Sequence, residues 1–387
     1  MARSFFALAA AGLLLSALAP TSVSAQSGVV RSLEHDYRVV TVADGLIRPW
    51  SMAWLPDGDM LVTEKPGRLR IVRDGALLPD PVSGVPEVVG QGQGGLFDVL
   101  PHPDFANNNV LFISYAKPVD GGSTTSVLRG TFRNDTFTPE REIFLANSQG
   151  RGHYGARIAF HPDGTLFVTV GDRQAPPSGD LEAHPAQNPS NHHGTTNRIN
   201  EDGSVPSDNP FLGRSDIEPS IWAYGHRNAQ GLAIDMETGA IWQTEHGPQG
   251  GDELNLVMPG ENYGWPVVGY GVNYRSGLAI HKGTMDENMA DPSHVWVPSI
   301  GASGLMLYTG DAFPRWRGDI FAGGMALEQL ARLVMNGETV QREETLVYGM
   351  GRIRDVRQGP DGLIYLAIDH RDEQPTSIVR LEPADGR

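Results

Sequence analysis

The sequence predicts an all-β fold, a six-bladed β-propeller whose blades are four-stranded antiparallel sheets. Three observations predict it. Helical periodicity is scarce. One pattern recurs six times: a short apolar strand, a turn marked by Asp, Thr or Gly, and a second apolar strand. The turns are spaced from about 43 to about 80 residues apart, which suits propeller repeats with insertions.

The copies follow in order. They are SMAWLPDGDMLVTE (51–64), FDVLPHPDFANNNVLFISYA (97–116), ARIAFHPDGTLFVTVGD (156–172), GLAIDMETGAIWQTEHG (231–247), MLYTGDAFPRWRGDIFAGG (306–324) and IRDVRQGPDGLIYLAID (353–369). Asp57, Asp104, Asp163, Thr238, Gly318 and Asp361 mark the turns. Where the turn is Pro-Asp-Gly, proline presets φ, aspartate bonds its own backbone and glycine accepts positive φ. A lone hairpin cannot bury both faces, so six are best satisfied by radial stacking. A β-sandwich with incidental turns is the competing arrangement.

Residues 1–25 predict a signal peptide: Arg3, an apolar run over residues 5–19, and Val23-Ser24-Ala25 as a cleavage site near Ala25. A membrane anchor is the alternative, but the run is shorter than the roughly 20 residues a span needs. The expected product is one propeller domain over 26–387, periplasmic or secreted. The chain is 40% apolar, enough for a core. It has no cysteine, so disulfides do not staple it. A net charge of −16 argues against nucleic acid and anionic membrane as partners.

Several second strands end in polar residues: Glu64-Lys65, Asp172-Arg173, Glu245-His246, Asp369-His370. If the blades are equivalent, these ends meet at one mouth of the channel, where sites on rigid scaffolds form. His153 precedes the third hairpin between Gly152 and Gly155, and Asp172 closes that hairpin. A histidine there suits a general base oriented by the aspartate, or is a surface loop residue. His161, beside the turn and echoed by His102, suits turn packing. TEHGPQGGDELNLVMPGENYGW (244–265) gathers Glu245, Asp252, Glu253 and Glu261 among glycines, a calcium loop or an ordinary acidic one, without EF-hand spacing. His192-His193 belong to a loop. Arg227 and Asn228 in YGHRNAQGL, and Arg352 and Arg354 on one strand face, suit an anionic ligand or a solvated face. GQGQGGLFD (90–98) holds Gln93 and lacks the P-loop pattern; no nucleotide or serine-hydrolase motif appears.

Taken in order, GQGGLFDVLPHPDF, GHYGARIAFHPDGTLFVTVGD, GHRNAQGLA, EHGPQGGDELNLV, ENYGWP and RIRDVRQGPDG, with GSVPSDNPF, cover most of residues 40–380. The set resembles the soluble PQQ-dependent aldose sugar dehydrogenases, periplasmic quinoproteins related to soluble glucose dehydrogenase. The resemblance implies His153 as catalytic base and Asp172 as its orienting partner. It implies quinone contacts from Gln93, Arg227, Asn228, Arg352 and Arg354. It also implies carbonyl ligation of Ca²⁺ by Gly247 and Pro248, and ligation of a further calcium by Glu253 and Tyr263. The implied reaction oxidises an aldose at its anomeric hydroxyl to a lactone. Hydride passes to PQQ, and Ca²⁺ and Arg227 stabilise the developing charge. An external electron acceptor is needed, since a chain without cysteine has no C-x-x-C-H haem site. Two departures stand out. Ala326 occupies the place of the family's lysine against the quinone, and the long insertions of the glucose-oxidising branch are absent. Trp296 is the nearest candidate for an aromatic floor. A calcium-dependent propeller lactonase and a non-catalytic sugar- or protein-binding propeller are the alternatives.

Overall fold

The computed structural model describes residues 28–384, so the expected signal peptide lies outside the described residues. The fold is a six-bladed propeller: six four-stranded sheets, every strand pairing antiparallel with its neighbours. Each predicted hairpin forms the first two strands of a blade. In blade 1 these are Pro49–Trp54 and Met60–Glu64; in blade 2, Leu96–Pro101 and Val110–Val119; in blade 3, Ile158–Phe160 and Leu166–Val170. Blades 4, 5 and 6 begin with Ala229–Ile234 and Ile241–Glu245, Ala302–Leu307 and Ile320–Gly324, and Arg352–Gln358 and Ile364–Asp369.

The turn chemistry is the one the sequence predicts. Asp57, Asp163 and Asp361 each accept a backbone N–H two residues on, at 3.1, 2.9 and 3.1 Å. Gly58, Gly164 and Gly362 follow at φ of 97°, 85° and 75°.

Why the second strands read as near-continuous apolar runs is a packing matter. Met60–Glu64, Leu166–Val170, Ile241–Glu245, Ile320–Gly324 and Ile364–Asp369 are buried at every residue, because each lies between two neighbouring blades. The apolar core is therefore not one mass but a ring of clusters, one at each junction. Leu61, Leu69 and Ile71 of blade 1 meet Leu96, Leu111 and Ile113 of blade 2. Phe112 meets Leu166 and Val168 of blade 3, and Phe167 meets Leu232 and Ile241 of blade 4. Trp242 and Leu254 meet Ile320 and Leu333 of blade 5, and Phe321 and Leu330 meet Ile353 and Leu366 of blade 6. Tyr365 and Ile378 meet Met52 and Val62, which closes the ring on blade 1.

The ring is also closed by hydrogen bonds. Blade 6 takes its outermost strand from the other end of the chain: Tyr37–Ile47 pairs with Pro375–Pro383. On the axis the first strands of neighbouring blades meet. There the channel is filled by charge. Arg157 reaches Asp355 at 2.7 Å, and Arg357 reaches Asp98 at 2.9 Å and Asp355 at 3.0 Å. Ser51 adds a hydroxyl to Asp98 at 2.5 Å. Arg157, Asp98 and Asp355 are fully buried, so the charges hold each other. This plug gives the mouth above it a floor.

Candidate active site

The chemistry gathers at the mouth where the second strands end. His153 sits in a sharp loop, at φ of 43°, with Gly155 at 63°. Gly171 makes room for that loop: a Cβ there would lie 2.3 Å from the His153 carbonyl oxygen. Gln93 Oε1 accepts the His153 N–H at 2.8 Å and Asn228 Oδ1 accepts that of Gly155 at 3.1 Å, so side chains from two other segments pin the loop.

The ring is held as firmly. His153 Nδ1 lies 2.5 Å from Asp172 Oδ1. Asp172 also accepts Gln174 N–H at 2.8 Å and, on Oδ2, Trp265 Nε1–H at 2.7 Å. With these donors converging on it the carboxylate is an acceptor, so Nδ1 carries the proton and Nε2 keeps its lone pair. Burial pushes the His153 pKa below the ordinary histidine value. Arg227 and Arg173 push the same way, against the pull of Asp172. Burial alone would raise Asp172, but the His153 ring and Arg227 outweigh it and its pKa falls below the ordinary carboxylate value. The pair is thus a neutral imidazole on an ionised carboxylate, a base ready at neutral pH.

His153 opens into a cavity of about 770 Å³. Gln93, Arg227, Asn228, Gly247, Pro248, Arg352 and Arg354 line it, so the predicted residues converge from several blades; Ala326 also lines it. Asp172 lies buried behind His153, and Trp296, buried on another strand, is not part of the lining. Aromatic lining comes from Tyr274 and from Trp50, whose ring lies 4.1 Å from the Arg157 guanidinium carbon. Arg48, Lys65, Gln230, His246 and Arg371 add to the polar wall, and Asp252 is the acidic residue on it. The sequence marks Lys65 only as a strand end, and His246 as a strand end and a weak pointer to a softer metal. Trp50 stands one residue before the first repeat, and Trp265 lies in ENYGWP, far in sequence from the Asp172 it supports. His161 stays at its turn, beside Asp163 at 2.9 Å, and His192 is a buried loop residue whose Nδ1 accepts Asn147 N–H at 2.7 Å.

Arg48, Lys65, Arg227, Arg352, Arg354 and Arg371 make the wall strongly cationic. Asp369 is shared by Arg48 at 3.3 Å, Arg352 at 3.5 Å and Arg354 at 3.7 Å, which leaves an excess of positive charge. A planar polycarboxylate such as PQQ fits this donor set and this volume. For calcium the fit is in the carbonyls. Asp252 accepts Gly247 N–H at 2.9 Å and fixes the loop; Pro248 O takes one hydrogen bond, from Tyr274 Oη at 2.9 Å, and keeps a lone pair. Oxygen donors on a glycine-rich loop suit a hard cation.

Behind this loop Glu253 is half-buried with Asn255 Nδ2 at 3.5 Å, and Asn255 Oδ1 has no partner. Burial, then the nearby Glu245, holds the Glu253 carboxyl well above its ordinary range, an environment that a cation would relieve. The Tyr263 hydroxyl already donates to Leu256 O at 2.5 Å and accepts Met258 N–H at 2.9 Å. Any contribution from Tyr263 would therefore come from its carbonyl. Among the described residues no three His, Cys, Asp or Glu side chains converge as a metal centre, so both sites would depend on backbone oxygen.

Residues 46–380 match the family described as Glucose / Sorbosone dehydrogenase. The chain belongs to that family. It is 37% identical over 355 residues to the aldose sugar dehydrogenase YliI of Escherichia coli K12, covering 89% of this chain and 92% of that one. The structure of the soluble aldose sugar dehydrogenase of Escherichia coli in its apo-form superposes with a TM-score of 0.82 at 35% identity, over 90% of this chain and 100% of that one. A PQQ-bound aldose sugar dehydrogenase from Streptomyces coelicolor superposes at 0.72 with 27% identity, over 94% and 99%. Among the described residues no helix is long and apolar enough to cross a membrane.

Proposed function

We propose that the protein is a PQQ- and Ca²⁺-dependent aldose dehydrogenase that oxidises the anomeric hydroxyl of its sugar to a lactone and hands the electrons to an external acceptor. One observation carries the proposal: a preorganised neutral histidine, backed by a carboxylate, opens into a cationic cavity of about 770 Å³. PQQ, when bound, supplies the two-electron acceptor for the anomeric carbon, with Ca²⁺ polarising it.

The rest is done by side chains of the chain. His153 Nε2 accepts the hydroxyl proton while Asp172, fixed by Trp265, holds the ring and balances the imidazolium. Arg352, Arg354 and Arg227 bind carboxylate and quinone oxygens, with Arg227 braced by its own Nη1 donating to His246 O at 3.0 Å. Gln93 and Asn228 have their carbonyl oxygens committed to the His153 loop, so their amide N–H groups are what they offer the cavity. Gly247 and Pro248 carbonyls hold the calcium, and Glu253 with the Tyr263 carbonyl holds the further one. The reading includes export through residues 1–25 and one propeller domain over 26–387.

The test adds PQQ and Ca²⁺ to the purified apo-protein and follows dye reduction with a panel of aldoses. Aldose-dependent reduction is expected only with both additions. Ester turnover without PQQ, and no dye reduction with it, would replace the dehydrogenase by a hydrolase.

A further inference from the structure

We propose that Lys65 is a titrating cofactor-binding cation: it takes up a proton as the anionic cofactor enters the cavity. This rests on the PQQ reading above. Lys65 is the lysine in a wall otherwise cationic through arginine. It follows the second strand of blade 1, as Asp172 follows that of blade 3 and His246 that of blade 4. It is 6% exposed. Its Nζ makes one hydrogen bond, to Gly92 O at 2.7 Å, and so has donors to spare. Its stem is gripped by the glycine-rich loop: a Cβ on Gly95 would fall 2.3 Å from Lys65 O and 2.6 Å from its Cγ. The same loop holds His153 through Gln93. The ammonium is therefore placed, not waving, at the cavity edge.

The charges facing it are Arg48, Arg354, Asp369 and Glu373, with Arg352 and Arg371 across the same cavity. Asp369 is already divided among three arginines. No carboxylate pairs with Lys65 among the described residues. Burial, then Arg48 and Arg354, pushes its pKa down to about 8. An arginine would stay charged in this place; a lysine loses its proton first. An incoming carboxylate reverses the local field, and the lysine regains the proton. The sign follows: PQQ affinity is full well below pH 8 and falls as pH rises through 8 and beyond.

Isothermal titration calorimetry of PQQ into the Ca²⁺-saturated protein, in two buffers of different ionisation enthalpy, counts the protons. At pH 9 wild type is expected to take up about 0.9 proton per PQQ more than Lys65→Arg, and to bind about fivefold more weakly than at pH 8. Lys65→Arg should bind with little change over that range. Lys65→Met, with melting temperature checked, should bind roughly 10- to 100-fold more weakly at pH 7. Equal proton uptake in wild type and Lys65→Arg, or undiminished binding by Lys65→Met, overturns the role of Lys65 and leaves the cofactor reading standing. Failure of wild type to bind PQQ overturns both.

Discussion

His153 shows how little freedom the site leaves to its central residue. Its backbone is left-handed, its N–H and the N–H of Gly155 are both capped by distant side chains, and its ring is fixed by an acid that is itself fixed by an indole. Asp172→Asn should lower kcat by at least ~100-fold, because the amide no longer selects the Nδ1–H tautomer, while PQQ binding is retained. The lowered His153 pKa places the acid limb of kcat/KM below pH 6.5: the base is available above its folded pKa and lost as pH falls through it. Trp265→Phe removes a donor from Asp172, raises its basicity, and should move that limb to higher pH; a limb that stays put would mean that the indole does not tune the pair. That His153 and Asp172 lie at the two ends of one hairpin was legible in the repeat pattern, whereas the role proposed for them comes from the family resemblance. The role of Trp265 was not legible: it arrives 93 residues after Asp172, and no local pattern announces that pairing.

At the scale of elements, the hairpins are legible because their second strands are buried on both faces and their turns need Asp and Gly. The outer strands are harder to read. Ala76–Leu77 has no buried residue and His294–Trp296 is mostly half-buried, so neither carries a strong apolar signal. Long connections bring in the rest of the wall, and spacing along the sequence does not encode where they land. Gly171 is the junction where element and site meet. Gly171→Ala would press a methyl onto the His153 carbonyl and against Asn228 Oδ1, 2.9 Å away. The expected cost is about 1–3 kcal/mol of stability, read in denaturant, together with a drop in kcat larger than that loss would explain. An unchanged kcat would show that the loop can slide without harm.

Over the whole molecule, six apolar junctions and one charged plug share the task of holding the ring. The plug is sensitive to halving. Arg157→Met removes the cation facing Asp98 and Asp355 and should cost roughly 3–5 kcal/mol, measured by urea unfolding, since both acids stay buried. A negligible loss would mean that Arg357 alone satisfies them. The plug was invisible beforehand because its members come from the first strands of blades 1, 2 and 6 and from the residue before blade 3, which only closure brings together.

Closure itself ties the beginning of this fold to its end. The strand Tyr37–Ile47 leaves the ribosome before every blade, and its partner Pro375–Pro383 leaves after them all. Throughout synthesis the early strand is an exposed, unpaired edge, the kind that invites wrong partners. A product that stops short of Pro375 leaves that edge unpaired, whereas a finished one pairs it with Pro375–Pro383 on the outer side of the last blade. Losing the seam strand Pro375–Pro383 is therefore expected to expose the chain to aggregation and proteolysis far more than losing an equal length of surface loop.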